Sequence, residues 1–167
     1  ASEILASRGV NSDLSYLKKG ELYMKVVIGN DHAAPMLKAS VCEHLKEKGI
    51  EFDDMGVGAG EKCDYPDKAK EVCEKFLEGG YDAAILICGT GVGMSIAANK
   101  IKGIRAACCS DVFSARFTRL HNDANVLCFG ERVVGAGLAN ELVDAFLETP
   151  FEGGRHQRRV DKIMALE

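Results

Sequence analysis

The sequence is poor in several features, and each shortage removes a class of protein. No apolar run approaches the roughly 20 residues needed to cross a bilayer, so no membrane span is expected. At the amino end Ile4-Leu5-Ala6 is followed at once by Ser7, Arg8 and Gly9, too short for the apolar region of a secretory signal. No C-x-x-C pair occurs, and the seven cysteines (Cys42, Cys63, Cys73, Cys88, Cys108, Cys109 and Cys128) are an odd number. Reduced thiols in the cytoplasm are therefore expected, not a disulfide framework. Histidine is scarce: four residues, none at zinc-type spacing, so no metal site is expected. Basic charge is not in excess either. Lys plus Arg total 21 against 25 for Asp plus Glu, and the net charge of −4 gives no general attraction to nucleic acid or anionic lipid.

What remains is an ordinary globular composition, 47% hydrophobic and 28% charged, on a chain of 167 residues that should form one domain. Folding at this size hides roughly 70% of the unfolded surface, enough for a self-sufficient core. Residues 1–23 are polar and punctuated by Asn11-Ser12-Asp13 and Lys18-Lys19-Gly20; they read as an extension, native or vector-derived, ahead of a domain over 24–167.

From Met24 onward, strand and helix patterns alternate. Lys25–Gly29 is a short β-branched run, and Pro35 suits the first turn of the helix carrying Leu37, Val41 and Leu45. A weak strand near Glu51–Met55 leads through a loop to a helix that starts at Pro66. Ala83–Cys88 is the most continuously apolar strand, as expected for a central parallel strand covered on both faces. Further strands are expected at Ile104–Cys109 and Asn125–Phe129, with Asp111 as N-cap of the helix between them. The next helix stops before Pro150, and a basic terminal helix begins near Arg155. Five β-α units in series predict an α/β fold: a three-layer α/β/α sandwich, Rossmann-like, on a five-stranded parallel sheet.

In such a sheet, ligands bind beyond the carboxyl ends of the strands. Asp31 and His32 follow the first strand, Cys88 ends the third, and Arg132 follows the fifth. Gly89-Thr90-Gly91-Val92-Gly93 joins the third strand to a helix, and its bare backbone can turn N–H groups toward an anion. It is neither a P-loop nor the dinucleotide fingerprint, and a plain tight turn is the alternative. A thiol at that place, Cys88, is a candidate nucleophile or base; Cys42, Cys73, Cys108, Cys109 and Cys128 read as small core hydrophobes. Arg155 and Arg159 are four residues apart, on one helix face, and match a phosphate better than nucleic acid because no aromatic interleaving accompanies them. His32 and His121 are evenly balanced between structure and function. On the residues alone the expectation is a cofactor-free enzyme for a small sugar or acid phosphate, with its reaction open.

Several stretches together resemble the ribose-5-phosphate isomerase type B family, which also includes galactose-6-phosphate isomerase subunits. They are Gly29-Asn30-Asp31-His32, Asp64-Tyr65-Pro66, Ile85 through Lys100, Gly103-Ile104-Arg105-Ala106, His121 through Leu127, Arg132-Val133-Val134-Gly135 and Glu152 through Val160. The resemblance implies an aldose–ketose isomerase that interconverts ribose 5-phosphate and ribulose 5-phosphate without metal or cofactor. It assigns Cys88 as the base, His121 to ring opening and Thr90 as a further catalytic residue. Substrate contacts fall to Asp31, His32, Gly89, Thr90, Gly91, Val92, Gly93, Asn122, Arg132, Arg155 and Arg159. Some members carry a glutamate base where Met94 stands, which favours the cysteine version here. The resemblance further implies a homodimer, or a tetramer built from it, whose sites draw on two chains. His121, Asn122 and Arg132 would then reach a neighbour's Cys88 loop. Two alternatives remain open: an isomerase of galactose 6-phosphate or allose 6-phosphate, and a non-catalytic sugar-phosphate sensor.

Overall fold

The structure, a computed structural model, describes residues 23–167. The expected amino-terminal extension therefore lies outside the described residues, apart from Tyr23. Strands and helices alternate as β1 (Lys25–Asn30), α1 (Pro35–Glu47), β2 (Glu51–Asp54), α2 (Tyr65–Leu77), β3 (Ala83–Cys88) and α3 (Val92–Ala98). They continue as β4 (Ala106–Cys108), α4 (Val112–Asn122), β5 (Val126–Gly130), α5 (Ala136–Glu148) and α6 (Arg155–Met164). The five strands form one parallel sheet in the order β2-β1-β3-β5-β4.

Side chains alternate across that sheet, so the two faces have separate cores. Val26, Ile28, Ile85, Ile87, Leu127 and Phe129 pack with Leu37, Val41 and Leu45 of α1 and with Leu142, Val143 and Phe146 of α5. Val27, Ala84, Leu86, Cys88, Val126 and Cys128 face the other way, toward Ala69, Val72 and Cys73 of α2 and Met94 and Ala98 of α3. Burial on both faces is why β3 reads as an unbroken apolar run: all six of its residues are buried. The same burial holds four thiols as apolar groups, as expected for Cys42, Cys73, Cys109 and Cys128. It pushes Cys42 and Cys109 up to about 11 and Cys73 up to about 12, and raises Cys128 well above the usual thiol range.

The fourth strand is shorter than the Ile104–Cys109 expected. As the edge strand it pairs with β5 alone, and the backbone of Gly103 and Arg105 bonds instead to the Asn125 side chain. Asp111 caps α4 as expected, accepting the Ser114 N–H at 2.7 Å. The strand order, which periodicity does not encode, places a topological switch between β1 and β3. From β1 the chain turns outward to β2, and from β3 it turns the opposite way, so their carboxyl ends flank an open crevice.

Candidate active site

Two loops meet at that crevice. The Asp31 N–H donates to the Ile87 carbonyl at 3.1 Å, tying the turn after β1 to the end of β3. The Asn30 side chain fixes the same turn through Asp31 O and Val57 O, and the Asp31 carboxylate accepts the Ala33 N–H at 2.9 Å. His32 is exposed, with Nδ1 3.0 Å from the Cys63 carbonyl.

Cys88 ends β3 with 5% of its surface exposed, and its sulfur accepts the Gly91 N–H at 3.1 Å. The amide of the glycine loop thus points at the sulfur itself. Gly91 has φ of 81°, and a Cβ there would stand 2.6 Å from Phe129 Cα, so only glycine lets the loop lie against β5. Thr90 Oγ1 accepts the Val92 N–H at 3.2 Å. Arg132 joins this loop from its own chain: its N–H donates to Gly89 O at 3.1 Å, and its guanidinium lies over Gly89. The expectation that Arg132 comes from a neighbour is corrected, because β5 ends beside Cys88 in register with Gly130.

Two further side chains stand here that sequence reasoning gave no site role or misread. The Tyr65 ring packs over Gly93, and its signal was present in the Asp64-Tyr65-Pro66 match. Cys108, expected as a core hydrophobe, is exposed at the end of β4, its sulfur 3.7 Å from the Thr90 carbonyl. The edge position of β4 explains this, since no further strand covers it. β5 separates the Cys108 and Cys88 backbones by at least two strand spacings, about 9.6 Å, which is beyond the span of a disulfide.

A second cluster forms at the opposite end of the strands. α4 begins beyond the carboxyl end of β4, and its 11 residues carry the chain back by roughly 16 Å. His121 and Asn122 therefore sit near the amino end of β5, away from Cys88. The Glu152 N–H donates to Leu120 O at 3.0 Å and docks the start of the α6 segment there. The His121 ring stacks on His156 at 4.1 Å with an interplanar angle of 8°, and meets the Phe117 ring edge-on at 5.0 Å. Glu152 Oε2 stands 3.7 Å from His121 Nε2 and 3.3 Å from His156 Nε2, and Arg155 Nε donates to His156 Nε2 at 3.4 Å. Arg155 and Arg159 are exposed on α6, whose His156 and Val160 are buried. Asn122 lines a cleft of about 730 Å³ with Arg105, Thr118, Ile163 and Leu166.

His121, Glu152 and His156 bring three ligand atoms within 4.8 Å of one another. They do not fit a metal centre: imidazole lone pairs lie in the ring plane, and two parallel rings do not aim at one ion. Burial, then the neighbouring His121, push the His156 imidazole below its ordinary value, with Arg155 and Arg159 adding to this and Glu152 opposing it. The structure thus brings Asp31, His32, Cys88, Gly89, Thr90, Gly91, Val92, Gly93 and Arg132 together at the carboxyl end of the strands. It groups His121, Asn122, Arg155 and Arg159 at the other.

Ribose-5-phosphate isomerase B of Escherichia coli is 52% identical over 143 residues, spanning 86% of this chain and 96% of its own. D-erythrulose-4-phosphate isomerase of Pectobacterium atrosepticum is 42% identical over 141 residues, spanning 84% of this chain and 93% of its own. The solved structure of ribose-5-phosphate isomerase B from Clostridium thermocellum matches with a TM-score of 0.83 at 50% identity, covering 86% of this chain and 97% of that one. The family model described as Ribose/Galactose Isomerase matches residues 26–163, and the chain belongs to that family.

Proposed function

We propose that this isomerase interconverts ribose 5-phosphate and ribulose 5-phosphate through an enediolate, in sites shared between two copies of the chain. The observation that carries the reading is the Cys88 sulfur, held by the Gly91 N–H at the crevice between β1 and β3. The neighbouring copy would supply His121, Asn122, Arg155 and Arg159, because one chain keeps them at the amino end of its own sheet.

The chemistry balances without an external oxidant or reductant. Opening the furanose breaks the bond between C1 and the ring oxygen; the proton of the C1 hydroxyl leaves and the ring oxygen gains one, with His121 as the transfer group. The Cys88 thiolate then takes the proton from C2. The C2–H electrons form the C1–C2 double bond, and the carbonyl electrons move to O1. Returning the proton to C1, while the O2 proton passes to the negative O1 and the C2–O bond becomes the carbonyl, gives the ketose. The Thr90 hydroxyl, whose oxygen already accepts from Val92, keeps its proton for the enediolate oxygens. Arg132 adds positive charge above Gly89. Arg155 and Arg159 hold the phosphate, and binding energy at that remote group positions the reacting carbons.

The relative that acts on a four-carbon sugar phosphate supports a second reading, in which the same machinery serves a different chain length. The deciding experiment offers ribose 5-phosphate, erythrulose 4-phosphate, allose 6-phosphate and galactose 6-phosphate separately to the purified protein. The highest kcat/KM is expected with ribose 5-phosphate. A higher value with any of the others replaces the pentose assignment.

A further inference from the structure

Resting on that isomerase reading, we infer that Glu152 and His156 are positioning residues for His121, and that together they make ring opening a unit separable from proton transfer at Cys88. His121 is fixed from three sides: the His156 ring on one face, the Phe117 ring at its edge and the Glu152 carboxylate opposite Nε2. The backbone contact between Glu152 and Leu120 delivers that carboxylate to the residue just before His121.

Glu152 lies within ion-pair distance of two histidines, and at His156 its charge is opposed by burial and by the surrounding cations. The His156 side chain is buried, and Arg155 donates to its Nε2, which places the single proton of a neutral imidazole on Nδ1. Burial and the surrounding His121, Arg155 and Arg159 all favour that neutral form. His156 is therefore a flat neutral platform, and the carboxylate serves His121. At 3.7 Å the contact is longer than a hydrogen bond, of the kind that tightens when substrate binds. With Nε2 committed to Glu152, Nδ1 is the nitrogen that meets the sugar.

The test separates the two chemical steps. Ribulose 5-phosphate is acyclic, because the oxygen that would close its ring carries the phosphate. Exchange of its C1 hydrogen in D2O, followed by NMR, thus reports proton transfer without ring opening, whereas turnover of ribose 5-phosphate needs both. Glu152→Ala is expected to lower kcat/KM for ribose 5-phosphate by at least about tenfold while exchange stays within about twofold of wild type. Glu152 is exposed and threatens no core, and the Tm of each variant is measured alongside. His156→Ala should behave like Glu152→Ala, while His156→Phe, which keeps a flat ring against His121, should retain both activities. Equal loss of the two activities, or loss of neither, in Glu152→Ala overturns the inference; loss of ring opening in His156→Phe overturns the platform role. Cys88→Ala is run in parallel and should lose exchange. Exchange that survives there overturns the base assignment instead, and the Glu152 result is then judged on its loss of ribose 5-phosphate turnover alone.

Discussion

At the scale of single residues, the proposed mechanism gives the Cys88 sulfur the role of base, with no second base beside it in the proposal. A positioned general base contributes about 10²- to 10⁴-fold to a rate, so Cys88→Ala should lower kcat by at least about 10²-fold. Cys88 is one small buried member of the core on that face, so circular dichroism should match wild type while Tm falls only modestly. Retained turnover in a folded variant would remove the base assignment. The two arginines of α6 act differently. Each charge-assisted bond to phosphate is worth about 1.5–3 kcal/mol, so Arg155→Ala with Arg159→Ala should raise KM by about 10²-fold or more. An unchanged KM contradicts the phosphate role. The residue scale is also where sequence reasoning went furthest astray. Cys108 looks like its buried neighbours Cys109 and Cys128, and only its place on the edge strand leaves it exposed.

At the scale of elements, the seat of α6 on α4 carries a pH dependence. Folding takes His156 out of water and stacks it on His121, so the native chain binds this proton less readily than the unfolded one, which titrates near 6.5. The stability contributed here is complete above that value and is lost as pH falls from it toward the lowered native value. Thermal unfolding followed from about pH 8 to about pH 5 should show Tm falling at the acid end. His156→Phe should flatten that decline, because the ring no longer titrates; an identical decline in the variant would exclude His156 as its source. The elements themselves were largely legible. Pro35, the Asp111 cap and the apolar run Ala83–Cys88 each announce their structure locally, whereas β4 lost residues at both ends for want of a second partner strand.

At the scale of the whole molecule, the separation of Cys88 from His121 makes the shared site directly testable. Cys88→Ala and His121→Ala proteins should each be nearly inactive. Mixed under conditions that let subunits exchange, they should form some dimers with one site built from two intact halves. Random exchange would restore about a quarter of wild-type activity, since about half the dimers are mixed and each has one of its two sites whole. No recovery despite demonstrated exchange would place both residues in a site within one chain.

The amino-acid sequence by itself determined the class of every strand and helix described here, because side-chain periods of 2 and 3.6 are local properties of the chain. It also placed the glycine loop after a strand buried on both faces, and its motifs pointed to the family. Only the tertiary structure decided which of the singled-out residues stand together. It set Arg132 beside Gly89 across 43 positions of sequence, put Glu152 against His121, and left His121 at the opposite end of the strands from Cys88. The reason is physical: strand order follows from how crossovers and two core faces pack at once, and no local pattern records that β5 lies between β3 and β4.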